Sequence, residues 1–238
     1  MVLLEICAAN LKSALAANTA GAHRIELCSG LDGGGVTPSP GLTEQAVYHL
    51  SVPVCVLIRP REGDFCFSGD EIELMLRDIV FCRKAGAAGV VVGALNADYS
   101  IDENAMRAFK AAAGPMEVVC HRAFDFVQSP EEALETLIRL GFCRVLTSGQ
   151  AATAWEGRES IRRCVVQARN RIDIMPGGGL TPEILGGLKA VTGATHFHTT
   201  AKKWVRQPGQ NDIPGLANGY FASDVDQIKA CLAALTGH

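Results

Sequence analysis

Short runs of apolar and β-branched residues alternate with helix-like stretches along the whole sequence. Each apolar run is four to six residues long, which is typical of a buried strand. The predicted strands are Val2–Cys7, Arg24–Cys28, Val54–Arg59, Gly89–Val92, Glu117–His121, Arg144–Ser148, Ile172–Met175 and Thr195–His198. A helix start follows the fifth strand, where Ser129 is placed to cap and Pro130 stands at the first helical position.

Eight regular strand–helix units predict a closed (β/α)8 barrel, which typically takes about 250 residues. An open doubly wound sheet is the alternative, but Cys7-Ala8-Ala9-Asn10 stands after the first strand where a glycine-rich dinucleotide turn would be expected. No nucleotide cofactor is therefore indicated. No linker or shift in composition divides the chain. We predict a single α/β TIM-barrel domain over residues 1–238, with a variable rim loop at about 199–222.

The first two strands place polar side chains on one face. Glu5 alternates with apolar Leu4 and Ile6, and Glu26 alternates in the same way in the second strand. Because apolar side chains suit the face that meets the helices, the polar set is predicted to point into the barrel. A cysteine follows each glutamate two residues later, nearer the mouth.

Charged and histidine side chains also end later strands, at the rim where barrels carry their chemistry. The candidate catalytic residues are Glu5, Glu26, Arg59, His121, Arg122, Asp125 and His198. Burying several charges is costly unless they have partners, which favours a functional site. The alternative for Glu26 is a structural ion pair with Arg59. His196 lies deeper and is interpreted as a core histidine.

Glycines and threonines suggest an anion site at the last two strand ends. Gly177, Gly178 and Gly179 follow the seventh strand, and Thr199 and Thr200 follow the eighth. Barrels often bind phosphate there, because glycine lets backbone N–H groups approach an anion. The alternative is a tight strand-to-helix turn. A second glycine run, residues 33–35, is expected to form a flexible part of the rim.

Composition and charge exclude several classes of protein. With 22 basic and 25 acidic residues the net charge is −3, which argues against broad binding to nucleic acid. A hydrophobic content of 48% excludes a disordered chain, and no apolar run reaches the length that spans a membrane. The start of the chain lacks the features of a signal peptide. Nine cysteines, an odd number without a C-x-x-C pair, predict reduced thiols in the cytoplasm.

Two of these cysteines form a candidate metal site. Cys7 and Cys28 end neighbouring strands, so their sulfurs are expected about 5 Å apart. Soft thiolates select Cu(I) or zinc. The alternative is that both are buried thiols in a layer of small residues.

Several ordered motifs closely resemble the CutC family, which is named for copper homeostasis. They are Arg24-Ile25-Glu26-Leu27-Cys28-Ser29, Thr37-Pro38-Ser39, Ile58-Arg59-Pro60-Arg61 with Gly63-Asp64-Phe65, His121-Arg122-Ala123-Phe124-Asp125, Arg144-Val145-Leu146-Thr147-Ser148-Gly149 and Pro176-Gly177-Gly178-Gly179. The resemblance covers roughly residues 2–201. It implies a cytoplasmic, self-associated (β/α)8 barrel, with Cu(I) ligands that match Cys7 and Cys28. The chain departs from the family pattern after the eighth strand, where residues 202–208 replace a Met-x-x-Arg-Asn-like segment, and at Cys120.

Two hypotheses about function follow. The first is a copper homeostasis protein that binds Cu(I) at Cys7 and Cys28. The second is a TIM-barrel enzyme acting on a small anionic or phosphorylated metabolite. In that case a glutamate serves as general base, the two rim arginines stabilise negative charge, and a histidine shuttles a proton. The expected partners are a copper ion or a small anion, and a further copy of the chain in a homo-oligomer.

Overall fold

The computed structural model describes residues 2–206, 209 and 217–237 and shows one parallel eight-stranded sheet. The strands run in the order β7-β6-β5-β4-β3-β2-β1-β8, and an isolated bridge between Gly177 and His198 joins the two ends. They are β1 (Leu3–Ala8), β2 (Arg24–Leu27), β3 (Val54–Leu57), β4 (Gly89–Val92), β5 (Glu117–Cys120), β6 (Arg144–Thr147), β7 (Asp173–Pro176) and β8 (His196–Thr199). The predicted TIM barrel is confirmed, and every predicted strand is present with ends shifted by at most two residues.

Helices connect the strands and cover the outside of the barrel. They are α1 (Leu11–Ala20), α2 (Pro40–His49), α3 (Gly69–Lys84), α4 (Glu103–Ala113), α5 (Pro130–Arg139), α6 (Arg158–Ala168), α7 (Pro182–Thr192) and α8 (Val225–Thr236). Local chemistry sets their ends. The Ser129 hydroxyl accepts the N–H of Glu132 at 3.4 Å, which confirms the predicted start of α5. None of the helices in the described part of the chain has the length and apolar character needed to span a bilayer.

The strands separate two apolar layers. Leu4, Ile6 and their counterparts in the other strands pack outward against the helices. A smaller cluster fills the barrel interior: Cys7, Cys28, Cys55, Leu57, Val91, Val119, Leu146 and Met175. This arrangement confirms the predicted facing of the first two strands, because Glu5 and Glu26 are buried on the same inner side as the cysteines.

An antiparallel hairpin follows β8 within the segment predicted as a variable rim loop. Its strands are β9 (Lys202–Arg206) and β10 (Gly219–Ser223). The Trp204 and Phe221 rings pack edge to face at 5.0 Å between centroids. The hairpin rests on the start of α1, where Asn10 Nδ2 donates to the Phe221 carbonyl at 3.0 Å. Residues 207–208 and 210–216 of the predicted loop lie outside the described residues.

Candidate functional site

A cavity of about 240 Å³ opens at the carboxyl ends of the strands. Most of the predicted site residues line it: Cys7, Glu26, Arg59, His121, Arg122, Gly178, Gly179, His198, Thr199 and Thr200. Glu5, Cys28, Asp125 and Gly177 do not line it. A larger open groove of about 600 Å³ lies between the segments at residues 96–104 and 127–136, and none of the predicted site residues lines that groove.

Glu5 lies at the centre of a buried charged cluster. It accepts a hydrogen bond from His198 Nδ1 at 2.8 Å and forms an ion pair with Arg24. Burial alone would raise the pKa of Glu5, but the hydrogen bond from His198 and the charge of Arg24 outweigh it and lower the pKa to about 2. Burial opposes the charge on His198, yet Glu26 and Glu5 raise the pKa of its imidazole. Glu5 is therefore a charged partner that positions His198, with no face of its own on the cavity.

One carboxylate oxygen of Glu26 accepts a hydrogen bond, and the other has no partner among the described residues. Its Oε1 accepts the Cys7 thiol at 3.5 Å, whereas Oε2 is buried without a hydrogen-bond partner among the described residues. Burial raises the pKa of Glu26. The alternative of a structural ion pair with Arg59 is wrong, since the Arg59 guanidinium bonds instead to backbone carbonyls of Gly33, Gly35 and Gly63.

The two predicted metal ligands lie side by side. The Sγ atoms of Cys7 and Cys28 are 3.6 Å apart, closer than the 5 Å expected from strand spacing, because the side chains turn toward each other. One donor atom each from Cys7, Glu26 and His198 also lies within 4.8 Å of the others. The hydrogen bond with Cys28 and burial raise the pKa of the Cys7 thiol well above its usual range. The sequence identified the sulfur pair but not that Glu26 and His198 complete a set of sulfur, oxygen and nitrogen donors.

Arg122 and Asp125 form a supporting pair at the end of β5. Arg122 Nε donates to Asp125 at 2.8 Å, and Arg122 Nη2 donates to the Ser148 hydroxyl at 2.9 Å. Asp125 also accepts the Thr147 hydroxyl and the backbone N–H groups of Ser148 and Gln150. With its oxygens occupied and its side chain away from the cavity, Asp125 positions Arg122 and is poorly placed to act as a base.

The backbone conformation of the turn after β7 requires glycine. Gly178 and Gly179 have φ angles of 102° and 72°, which L side chains rarely adopt. A Cβ at Gly179 would lie 3.1 Å from Thr153 Cγ2. Gly177 pairs with His198 and faces Leu146, so it belongs to the wall of the barrel. The Thr199 hydroxyl donates to the Leu180 carbonyl at 2.9 Å and so fixes the loop between β7 and α7.

Sequence comparison connects this geometry to a family. The family model described as the CutC family matches residues 2–203, most of the chain. The chain belongs to the CutC family. A CutC family protein of Xanthomonas campestris pv. campestris is 45% identical over 235 residues, which cover 98% of each chain. The human protein named copper homeostasis protein cutC homolog is 48% identical over 200 residues, or 84% of this chain and 73% of the human one.

Solved structures agree with the fold of this CutC-family chain. A crystal structure of a Streptococcus agalactiae protein that carries the CutC name is 33% identical, with a TM-score of 0.80 over 84% of this chain and 99% of that one. Phosphoribosyl anthranilate isomerase of Thermotoga maritima has a TM-score of 0.60 over the full length of both chains. At 17% identity the isomerase is similar in fold alone.

Proposed function

We propose that this CutC-family chain binds Cu(I) at Cys7 and Cys28 and serves copper homeostasis in the cytoplasm. The observation that carries the proposal is the 3.6 Å separation of the two sulfurs at the end of β1 and β2. Two thiolates are the donor type that Cu(I) prefers, and one ion can contact both.

The surrounding donors suit a metal as well. Glu26 Oε2 is buried without a partner, and His198 is held by Glu5 through Nδ1, which leaves Nε2 for another contact. A carboxylate that orients a histidine through its second nitrogen is the usual support for a metal ligand. We therefore propose Glu26 and His198 as further contacts for a metal held by the thiols.

Other observations support a role in copper homeostasis. The human relative at 48% identity carries a name that refers to copper homeostasis. All nine cysteines are free thiols, including the adjacent Cys7 and Cys28. Self-association into a homo-oligomer stays a prediction from the resemblance to the family.

A competitive titration with a chromogenic Cu(I) chelator tests the proposal. Wild-type protein is expected to take up one Cu(I), and Cys7→Ser with Cys28→Ser is expected to remove this uptake. Cys231→Ser in α8 is the matched control, because it removes an equally buried thiol far from the cavity. Unchanged affinity in the double variant would overturn the proposal. A parallel titration with Zn(II) shows whether the site prefers the softer ion, as proposed.

A second candidate function is favoured by three residues that line the cavity and carry buried polar atoms without partners among the described residues. Glu26 Oε2, Arg59 Nε and His121 Nε2 are all buried without hydrogen bonds among the described residues, and all three side chains line the cavity. Two thiols alone would not need them. We propose, as this second candidate, an enzyme that acts on a small anionic or phosphorylated metabolite, with Glu26 as general base and His198 as proton carrier.

Proton NMR of a defined metabolite mixture tests the second candidate. Copper-free wild-type protein is expected to deplete at least one small anionic compound, and Glu26→Gln is expected to slow that depletion at least 100-fold. Glu73→Gln, on the exposed face of α3, is the matched control. A mixture of phosphorylated and carboxylated metabolites left unchanged by the wild type would overturn this candidate.

A further inference from the structure

Arg59 is a buried cation whose guanidinium is bonded only to neutral groups. It follows β3, and the residue is 5% exposed. Nη1 donates to the carbonyls of Gly33 and Gly35 at 2.9 and 3.0 Å, and Nη2 donates to the carbonyl of Gly63 at 2.8 Å. A guanidinium has five N–H donors, so two remain, and Nε–H is one of them.

The charge of Arg59 has no direct counterion. Across residues 2–206, 209 and 217–237, no carboxylate oxygen lies within 4.0 Å of its nitrogens, whereas neighbouring Arg61 pairs with both Asp64 and Glu71. Arginine does not lose its proton in proteins, so the positive charge persists despite burial. A buried charge without an opposite charge is costly, so an anionic ligand that supplied the opposite charge would be stabilised here.

His121 adds a neutral donor beside this cation. Its Nδ1 accepts the N–H of Ala123 at 3.1 Å, so the ring proton resides on Nε2. Nε2–H is buried and has no acceptor in the described part of the chain. Burial and the charge of Arg59 lower the pKa of His121 to about 3, so the ring is a neutral donor at physiological pH.

Phe65 contacts both groups. The Arg59 guanidinium carbon lies 4.9 Å from the centroid of the Phe65 ring, and the His121 ring lies at the same distance on centroids. Both residues line the cavity, as does Phe65. Two kinds of unused donor, one charged and one neutral, thus flank a single aromatic ring at the β3–β5 side of the mouth.

We propose that Arg59 and His121 form a subsite for the carboxylate group of a small monocarboxylic acid. The charge balance favours a carboxylate over a phosphate monoester: Arg59 supplies one positive charge that has no carboxylate oxygen of the described residues within 4.0 Å, Arg122 is already paired with Asp125, and a phosphate monoester carries about −1.5 to −2 at pH 7. The cavity of about 240 Å³ is below the size of a drug-binding pocket, which suits a small metabolite. The inference rests on the second candidate function, since it names the class of anion that the cavity accepts, and it is independent of copper.

Isothermal titration of copper-free protein with pyruvate and with inorganic phosphate, at pH 7 and equal ionic strength, tests the subsite. Pyruvate is expected to bind saturably with a millimolar or tighter Kd, and phosphate at least tenfold more weakly. Arg59→Met is expected to weaken pyruvate binding at least tenfold. Arg77→Met is the matched control, because this arginine pairs with Glu73 on the exposed face of α3 and its loss should leave pyruvate binding unchanged.

A measurement on the wild type keeps the test valid if Arg59→Met does not fold. The Nε–H resonance of Arg59, assigned by its disappearance in Arg59→Lys, is expected to shift on addition of pyruvate. Phosphate binding as tight as pyruvate would overturn the carboxylate subsite and leave the second candidate function standing. Binding of neither anion would overturn the subsite, whereas the second candidate function falls only if the metabolite mixture is also left unchanged. Pyruvate binding without a shift at Arg59 would place the ligand elsewhere and overturn the subsite.

Discussion

Glu5 and His198 lie directly opposite each other in the β1–β8 pair, and Nδ1 of the histidine donates to the carboxylate at 2.8 Å. Both side chains are buried. The contact joins the first and last strands of the barrel at the floor of the cavity. It also fixes the imidazole that Glu26 and Cys7 approach, so one carboxylate serves both the closure of the barrel and the orientation of the site.

Replacing Glu5 with Gln is expected to destabilise the protein by about 3–5 kcal/mol, because Arg24 would keep its buried charge without the carboxylate. Urea denaturation followed by circular dichroism measures the change. Glu73→Gln removes an exposed ion pair and should change the free energy of unfolding by no more than about 1 kcal/mol. Equal effects of the two variants would contradict the role assigned to Glu5.

Stability is expected to fall steeply in acid because of the same carboxylate. The pKa of Glu5 is about 2 in the folded protein against 4.5 for an ordinary glutamate, so the unfolded chain takes up its proton first as the pH falls. The stabilisation is complete above about pH 4.5 and is lost progressively toward pH 2. Unfolding free energies measured between pH 2 and 6 should fall less steeply in Glu5→Gln than in the wild type. Parallel curves would show that Glu5 is not the group responsible.

Copper affinity is expected to rise with pH. Contact with Cys28 and burial raise the pKa of the Cys7 thiol well above its usual range, so the thiol is protonated at neutral pH and must release its proton to bind metal. The chelator competition repeated between pH 6 and 8 should show a tighter apparent Kd at each higher pH, with proton release detected in weakly buffered solution. An affinity independent of pH would argue against thiolate ligands.

Gly93 leaves room for the His121 ring because it has no side chain. A Cβ at this position would lie 2.5 Å from Cε1 and 2.6 Å from Nδ1 of the His121 ring. Gly93→Ala is therefore expected to displace the ring, to cost about 1–3 kcal/mol of stability and to weaken pyruvate binding. Gly41→Ala is the control, since nothing lies within 4 Å of a Cβ there. Thermal melting and titration of both variants check this, and unchanged binding in Gly93→Ala would contradict the donor role of His121.

The barrel itself was predictable because its signals are local. The alternation of Glu5 and Glu26 with apolar neighbours specifies which face of β1 and β2 meets the helices, and the structure confirms that facing. The positions at strand ends likewise predicted that Cys7, His121 and His198 would meet at one rim. Each of these inferences needs only the period of a strand and the rule that parallel strands share their carboxyl edge.

The hydrogen-bond and ion-pair partners of the rim residues were not predictable. They depend on the direction in which the long side chains point in the folded barrel. Arg24 was predicted to face inward but was not recognised as the partner of Glu5, although its place two residues before Glu26 was a usable signal. Arg59 was expected to be able to neutralise Glu26 and instead bonds the carbonyls of Gly33, Gly35 and Gly63. The Gly33–Gly35 run, expected to be a flexible part of the rim, contributes two of those carbonyls.

The order of the site residues along the chain has a consequence for biosynthesis. Cys7 and Cys28 belong to the first strand–helix–strand unit, so both thiols emerge from the ribosome together with Glu5 and Glu26 and well before His121 and His198. His198 arrives with the last strand of the barrel. During translation the two sulfurs therefore precede the histidine and the barrel closure that bury them. A nascent chain therefore exposes both thiols before the pocket that buries them exists.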